Sequence, residues 1–115
     1  MDLKKLKEVR LKELDNKYKP IIKAYNDNVD IVNSITIDDT DTIDIIICKL
    51  YILTNNVSKT LKLLSDSNYR INNRKVNSTD ISETLNSISK SENNSIKIFA
   101  KEQFLKNKKM SRRLT

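Results

Sequence analysis

Apolar residues recur every three or four positions through the highly charged first third of the chain. The residues that set this spacing are Leu11, Leu14, Tyr18, Ile21, Tyr25 and Val32. The pattern predicts an amphipathic helix over residues 2–33. Pro20 removes one backbone hydrogen bond there, so either the helix kinks or a new helix starts with Pro20 in its first turn. Two roles stay open for this segment: a packing helix for the core, or an arm that forms a dimer.

The most apolar run of the chain, residues 43–53, follows a polar segment, residues 34–42. Its β-branched content suits a buried strand, but its length and the spacing of its Ile and Leu side chains favour a helix. Thr40 or Asp41 can cap that helix. The acidic residues of the polar segment do not form an EF-hand calcium loop, because the required Gly and final Glu are missing.

A shorter two-sided helix is predicted over residues 57–67. One face carries Val57, Leu61 and Leu64, and the other carries Ser58, Lys59, Lys62 and Ser65. The following stretch, "YRINNRKV", has two short β-prone runs around a pair of asparagines. Because asparagine tolerates the positive φ that both central positions of a type I′ turn require, Asn72 and Asn73 predict a β-hairpin.

Two more amphipathic helices are predicted after the hairpin, over residues 79–90 and 94–108. Ser78, Thr79 and Asp80 provide a cap for the first, with Glu83 completing a capping box. The predicted fold is therefore mainly α with one short hairpin. It is a single domain over residues 1–110, divided into a helical arm (1–33), a helix-turn-helix with a wing (41–90) and a C-terminal helix, and followed by a basic tail (109–115).

Charge is distributed unevenly along this predicted domain. The net charge is +7, and residues 49–115 hold fourteen Lys or Arg against five acids, whereas residues 27–48 hold six acids and no base. Such a balance predicts an anionic partner for the C-terminal part of the chain. The chain has no glycine, so asparagine is expected at the positions that need positive φ.

The residue types also exclude several classes of chemistry. There is no histidine and one cysteine, Cys48, which lies in an apolar run and is expected in the core. These absences remove histidine-based catalysis and the common zinc ligand sets, so we expect no enzyme activity, no metal and no cofactor. No signal peptide or membrane-spanning run is evident, and a cytoplasmic location is expected.

The segment "VSKTLKLLSDSNYRI" resembles the recognition helix and first wing strand of MarR-like or ArsR-like winged helix-turn-helix domains, and the likeness covers about residues 41–78. It implies that the helix enters the major groove of DNA while the wing meets phosphates or a minor groove. The implied contacts from the helix and its start are Asn56, Ser58, Lys59, Thr60 and Lys62. The implied wing contacts are Arg70, Asn72, Asn73, Arg74 and Lys75, although the wing tip of these families often carries glycine.

A rival assignment makes residues 79–90 the reading helix, since "NNVSKTLKLL" is also similar to the scaffold helix of Fis-like and resolvase-like domains. The connection from Ser67 to Ser78 is longer than the usual three or four residues. Asp80 and Glu83 would also bring like charge to the phosphates. The winged interpretation is therefore favoured.

The sequence thus predicts a dimeric protein that binds double-stranded DNA at specific sequences. Roles in transcription, in plasmid segregation or at an origin fit equally, and the abundance of Lys, Asn and Ile points to a low-GC bacterium or one of its plasmids or phages. The alternative is a helical protein-interaction module, in which residues 2–33 pair with a partner helix and the basic surface only maintains solubility.

Overall fold

A computed structural model describes the backbone of residues 1–114 and the side chains of residues 1–111. The chain divides into two compact units, Met1–Ser34 and a second unit that begins at Ile35. The described elements are α1 (Leu3–Ser34), α2 (Ile43–Thr54), α3 (Val57–Ser65), β1 (Arg70–Ile71), β2 (Arg74–Lys75), α4 (Ser78–Asn86) and α5 (Ser95–Leu114). The prediction of a mainly helical chain with one short hairpin is confirmed.

The first unit corresponds to the predicted arm and consists of α1. This helix of 32 residues continues through Pro20, so no second helix starts there. The proline lacks the N–H that would make one of the backbone hydrogen bonds of this helix, and the helix is continuous on both sides of it. No residue of α1 is buried, and its charged side chains pair along the surface, as in Lys23 with Asp27 at 2.7 Å.

The second unit is built around α2, which the apolar run predicted as a helix. Four consecutive residues of α2, Ile46 to Lys49, are buried, which shows that neighbours cover the helix on more than one side. The surrounding helices α3, α4 and α5 all pack against it. Ile47 and Cys48 have no exposed surface, and the expected core position of Cys48 is confirmed.

Apolar side chains from each later element close this core. They are Leu64 on α3, Val76 after β2, Ile81 and Leu85 on α4, and Ala100 and Phe104 on α5. Phe104 meets Tyr51 of α2 edge to face, with ring centroids 5.9 Å apart, a favourable aromatic geometry. The C-terminal helix runs from Ser95 to Leu114, so the predicted basic tail is helical up to Leu114, and Thr115 lies outside the described residues.

A buried lysine holds the segment that precedes α2. The Lys49 ammonium donates to the Thr36 carbonyl and to the Asp41 carboxylate, both at 2.6 Å. Burial of a charge is tolerated when it is paired and hydrogen-bonded in this way. The bond from Lys49 and the backbone N–H of Asp38 lower the pKa of Asp41. The N-cap of α2 is Thr42, without a side-chain cap bond, which corrects the prediction of Thr40 or Asp41.

The turn between α2 and α3 consists of Asn55 and Asn56. Asn55 takes the left-handed conformation, with φ at 54°, as expected of asparagine in a chain without glycine. Asn107 of α5 donates to the Tyr51 hydroxyl at 2.7 Å and to the Asn55 side-chain oxygen at 2.8 Å. The start of α3 is therefore fixed by contacts on both sides of the turn.

Candidate nucleic-acid interface

Helix α3 has one face in the core and one in solvent. Thr60 and Leu64 are buried, and Val57 and Leu61 are partly buried. The exposed face carries Ser58, Lys59, Lys62, Leu63 and Ser65. The ammonium groups of Lys59 and Lys62 have no hydrogen-bond or ion-pair partner within the described part of the chain, so both are available to an external anion.

Two of the residues predicted to contact DNA from α3 and its start, Thr60 and Asn56, instead form hydrogen bonds within the protein. Thr60 is fully buried, and its hydroxyl lies 2.8 Å from both the Thr54 hydroxyl and the Asn56 carbonyl. A DNA contact by Thr60 is therefore wrong, because its position on the helix turns it into the core. Asn56 is exposed, but its side-chain oxygen caps α3 by accepting from the Lys59 N–H at 2.9 Å.

Leu63 was not assigned to the surface by the sequence pattern. It is 48% exposed and lies four residues after Lys59, hence on the same side of α3. Leu63 directly precedes the buried Leu64, and neighbouring residues of an α-helix are turned about 100° from each other, so the spacing of Val57, Leu61 and Leu64 leaves Leu63 outside the core face. An exposed apolar side chain beside two lysines can contact the methyl group of thymine in a major groove.

The hairpin has the predicted asparagine turn. Asn72 and Asn73 both have positive φ, at 49° and 65°, which a two-residue I′-type turn requires. In the antiparallel register Arg70 pairs with Lys75, and Ile71 pairs with Arg74. Since side chains alternate across a strand and paired residues share a face, the hairpin has two chemically different sides.

The inner side of the hairpin carries Ile71 and Arg74. The Arg74 guanidinium donates two bonds of 2.7 Å to the two carboxylate oxygens of Asp80. Asp80 also accepts from the Asn77 N–H and forms a capping box with that residue at the start of α4. The cap is thus Asn77 with Asp80, which corrects the predicted cap by residues 78–80 with Glu83.

This ion pair changes the interpretation of Arg74. A bidentate bond ties the guanidinium to α4, while the Arg74 side chain stays 49% exposed. The predicted contact to phosphate or a minor groove stays a prediction, and a phosphate there would compete with Asp80. A groove of about 450 Å³ lies along the same side of the hairpin and is lined in part by Asp44, Asp80 and Glu83. The inner side is therefore rich in negative charge and disfavours phosphate.

The outer side of the hairpin carries Arg70 and Lys75, both exposed. Arg70 reaches back to the Ser67 carbonyl at 3.1 Å, which brings its charge close to the end of α3. The Lys75 ammonium has no hydrogen-bond or ion-pair partner among residues 1–111, although its carbonyl accepts from Arg74 at 3.2 Å. The structure therefore separates the predicted wing residues into one internal anchor, Arg74, and two outward cations, with Asn72 and Asn73 exposed at the tip.

The start of α4 matters to the rival assignment of the reading helix. Asp80, in its first turn, is buried, and its carboxylate already accepts hydrogen bonds from Arg74 and from the Asn77 N–H. Asn86, at its other end, accepts from Lys101 and Lys108 of α5 through its carbonyl and side-chain oxygens. These contacts occupy both ends of α4, whereas the exposed lysines of α3 remain unpaired in the described structure.

The contribution of Asp80 to the stability of the fold is expected to depend on pH in the acid range. The hydrogen bonds from Arg74 and then from the Asn77 backbone lower the pKa of Asp80 to about 2. An unfolded aspartate has a pKa of about 3.9. Because the folded-state pKa is the lower one, the contribution of Asp80 is complete above about pH 4 and is lost as the pH falls towards 2.

We therefore expect Asp80→Asn to lower the free energy of unfolding at neutral pH, and to reduce the part of it that wild type loses between pH 4 and 2. Urea unfolding across that pH range measures both effects. Asp66→Asn is the matched control, because Asp66 is exposed and outside this ion pair. Curves for Asp80→Asn that parallel wild type throughout would contradict the prediction.

Comparison with protein-family models, with curated proteins and with solved structures finds no match to this chain. Among the described residues, no group of three or more His, Cys, Asp or Glu side chains is arranged to hold a metal ion. No helix in the described part of the chain combines the length and apolar character needed to cross a bilayer. The assignment of function therefore depends on the geometry of α3 and the hairpin.

Proposed function

We propose that this chain binds double-stranded DNA at specific sequences, as a winged helix-turn-helix protein. In this proposal α3 lies in the major groove with Lys59 and Lys62 toward the base edges. The outer side of the hairpin lies on the phosphate backbone through Arg70 and Lys75. Transcription control, plasmid segregation and origin binding are roles that such a protein performs.

The observation that carries the proposal is the separation of charge around α3 and the hairpin. The outward cations Lys59, Lys62 and Lys75 are unpaired within residues 1–111. On the inner side of the hairpin, Asp80 is instead tied to Arg74, and Asp44 and Glu83 line the groove. A merely solvated basic surface needs no such sorting, whereas a phosphate-binding surface requires that carboxylates be kept off it.

Rigid placement of α3 also supports the proposal. The helix begins at a two-residue turn whose side chains are held by Lys59 N–H and by Asn107. Its buried Thr60 and Leu64 fix the rotation of the helix about its axis. A reading helix must present its side chains to base edges in one orientation, and these contacts supply that orientation.

Lys75→Ala is expected to weaken binding to all duplexes by similar factors. Each phosphate contact releases condensed counterions, so the slope of log affinity against log salt should become shallower by about 0.9. Fluorescence anisotropy with a labelled duplex, repeated over a series of salt concentrations, measures this slope. Arg70→Ala is expected to act in the same direction.

The matched control is Lys23→Ala on α1, whose ammonium pairs with Asp27 outside the proposed interface. It removes the same charge from the chain as Lys75→Ala. Equal changes of the salt slope in the two variants would show that binding follows net charge alone. That outcome would remove the hairpin from the proposed interface.

A protein-interaction role without DNA binding is the second candidate. It is favoured by α1, none of whose residues is buried and whose Leu11, Ile21 and Tyr25 are each more than half exposed. The two candidates differ in a simple measurement. Retention on immobilised duplex DNA at moderate salt, greater than that of a basic control protein of equal size and charge, favours DNA binding.

A further inference from the structure

Helix α1 exposes an apolar stripe that its own unit leaves uncovered. Exposed fractions of Leu11, Tyr18, Ile21, Tyr25 and Val32 lie between 45% and 67%. At 1.5 Å per residue the helix is about 48 Å long. A helix of this length with an uncovered apolar stripe is stabilised in water mainly by packing against a partner.

The stripe follows a heptad repeat from Leu11 to Val32. Positions a are Leu11, Tyr18, Tyr25 and Val32, and positions d are Leu14, Ile21 and Asn28. Every outward position b, c and f in this range holds a charged residue, an asparagine or Pro20. The proline therefore lies on the side away from the stripe, where its missing hydrogen bond does not interrupt a helix–helix contact.

We propose that α1 forms a parallel, in-register coiled coil with α1 of a second copy of this chain. The first argument is charge. In a parallel pair, position g of one helix faces position e of the next heptad on the other helix. These positions are Arg10 and Asp15, which have opposite charges. Their present partners on the same helix, Glu13 and Lys19, form exposed pairs at 3.1 and 3.4 Å, which are weak and exchangeable.

The second argument is the shape of the stripe, which widens along α1. Flanking positions are charged at Arg10, Asp15 and Lys17, but apolar at Ile22, Ala24, Val29 and Ile31. Parallel pairing places the wide part of one apolar stripe against the wide part of the other, and the narrow part against the narrow part. Antiparallel pairing would set the wide apolar half of one helix against the charged half of the other, which a hydrophobic seam disfavours.

Asn28 supplies the third argument, since it interrupts the stripe at a d position. Its side-chain nitrogen donates to the Ala24 carbonyl of the same helix at 2.6 Å. A parallel in-register pair brings Asn28 against its own equivalent, so two amides share one layer of the seam. A polar residue in one layer specifies register, because any slipped pairing puts it against an apolar side chain.

Cysteine substitution tests both the partner and the register. In the full chain, Asn28→Cys is expected to form a disulfide-linked dimer under mild oxidation, since equivalent d positions face each other at a bridgeable distance. Asn26→Cys is the matched control, because residue 26 is an outward position of the same helix. The native Cys48 does not interfere: burial raises the pKa of its thiol to about 12.

Non-reducing gel electrophoresis reads the cross-link, and sedimentation velocity of the unmodified chain reads self-association; neither uses DNA. The expected result is dimer from Asn28→Cys, none from Asn26→Cys, and a self-associated wild type at tens of micromolar. A monomeric wild type would overturn the proposal in favour of a different partner or none. A self-associated wild type with no preferential cross-link at residue 28 would overturn the parallel register.

Discussion

Lys62→Ala is expected to relax the choice of base at one position of the DNA site by ~1 to 3 kcal/mol, if this lysine contacts a guanine edge. Lys62 lies in the middle of the exposed face of α3, and its ammonium has no partner within residues 1–111. Its removal leaves the core unchanged, because the buried side of the helix is carried by Thr60 and Leu64. Lys59→Ala is expected to do the same at a second position.

Anisotropy titrations with the selected duplex and with single-base variants of it measure this loss of discrimination. Lys75→Ala is the matched control, since the same change on the hairpin should weaken every duplex alike. The opposite pattern would reassign the reading helix. Discrimination that survives both α3 lysine changes and collapses with Ser82→Ala would transfer that role to α4.

The largest loss of stability is expected from Ile47→Ala. Ile47 has no exposed surface and lies in the helix that α3, α4 and α5 all contact. Truncating a buried isoleucine costs ~2 to 5 kcal/mol, because the lost burial is joined by the cavity that remains. The free energy of unfolding of a native protein is only ~5 to 15 kcal/mol. This one change is therefore expected to remove a large part of it.

Urea unfolding followed by far-ultraviolet circular dichroism measures that free energy. Leu53→Ala is the control on the same helix, since it removes the same number of carbon atoms from a side chain that is 48% exposed. Its effect should be much smaller. Equal losses from the two variants would contradict the position of α2 at the centre of the second unit.

Features that depend on near neighbours in the chain were predictable from the sequence. The hairpin follows from two asparagines between β-prone residues, and the two faces of α3 follow from helical spacing. The same spacing places Thr60 between Val57 and Leu64 and so inside the core, although its hydroxyl suggested a polar contact. Pairing across the two-residue turn likewise places Arg74 beside Ile71, on the inner side.

Other features depend on residues that are distant in sequence. The burial of Lys49 requires the Thr36 carbonyl, thirteen residues away, and no local pattern indicates that a lysine within an apolar run is paired. The hydrogen bond from Asn107 to Asn55 joins residues 52 positions apart, and no local sequence pattern predicts it either. Cap positions were missed by one residue at α4, because several adjacent Ser, Thr, Asn and Asp side chains are all good caps.

The alternation of Arg74 and Lys75 limits how the hairpin can change in evolution. Both residues are cations, so gaining or losing one residue in the turn would leave the composition almost unaltered. It would nevertheless turn Lys75 toward α4 and Arg74 toward solvent, because a shift of one residue reverses the faces of a strand. Insertions and deletions among related sequences are therefore expected to avoid the turn and to accumulate in the exposed connection between α4 and α5.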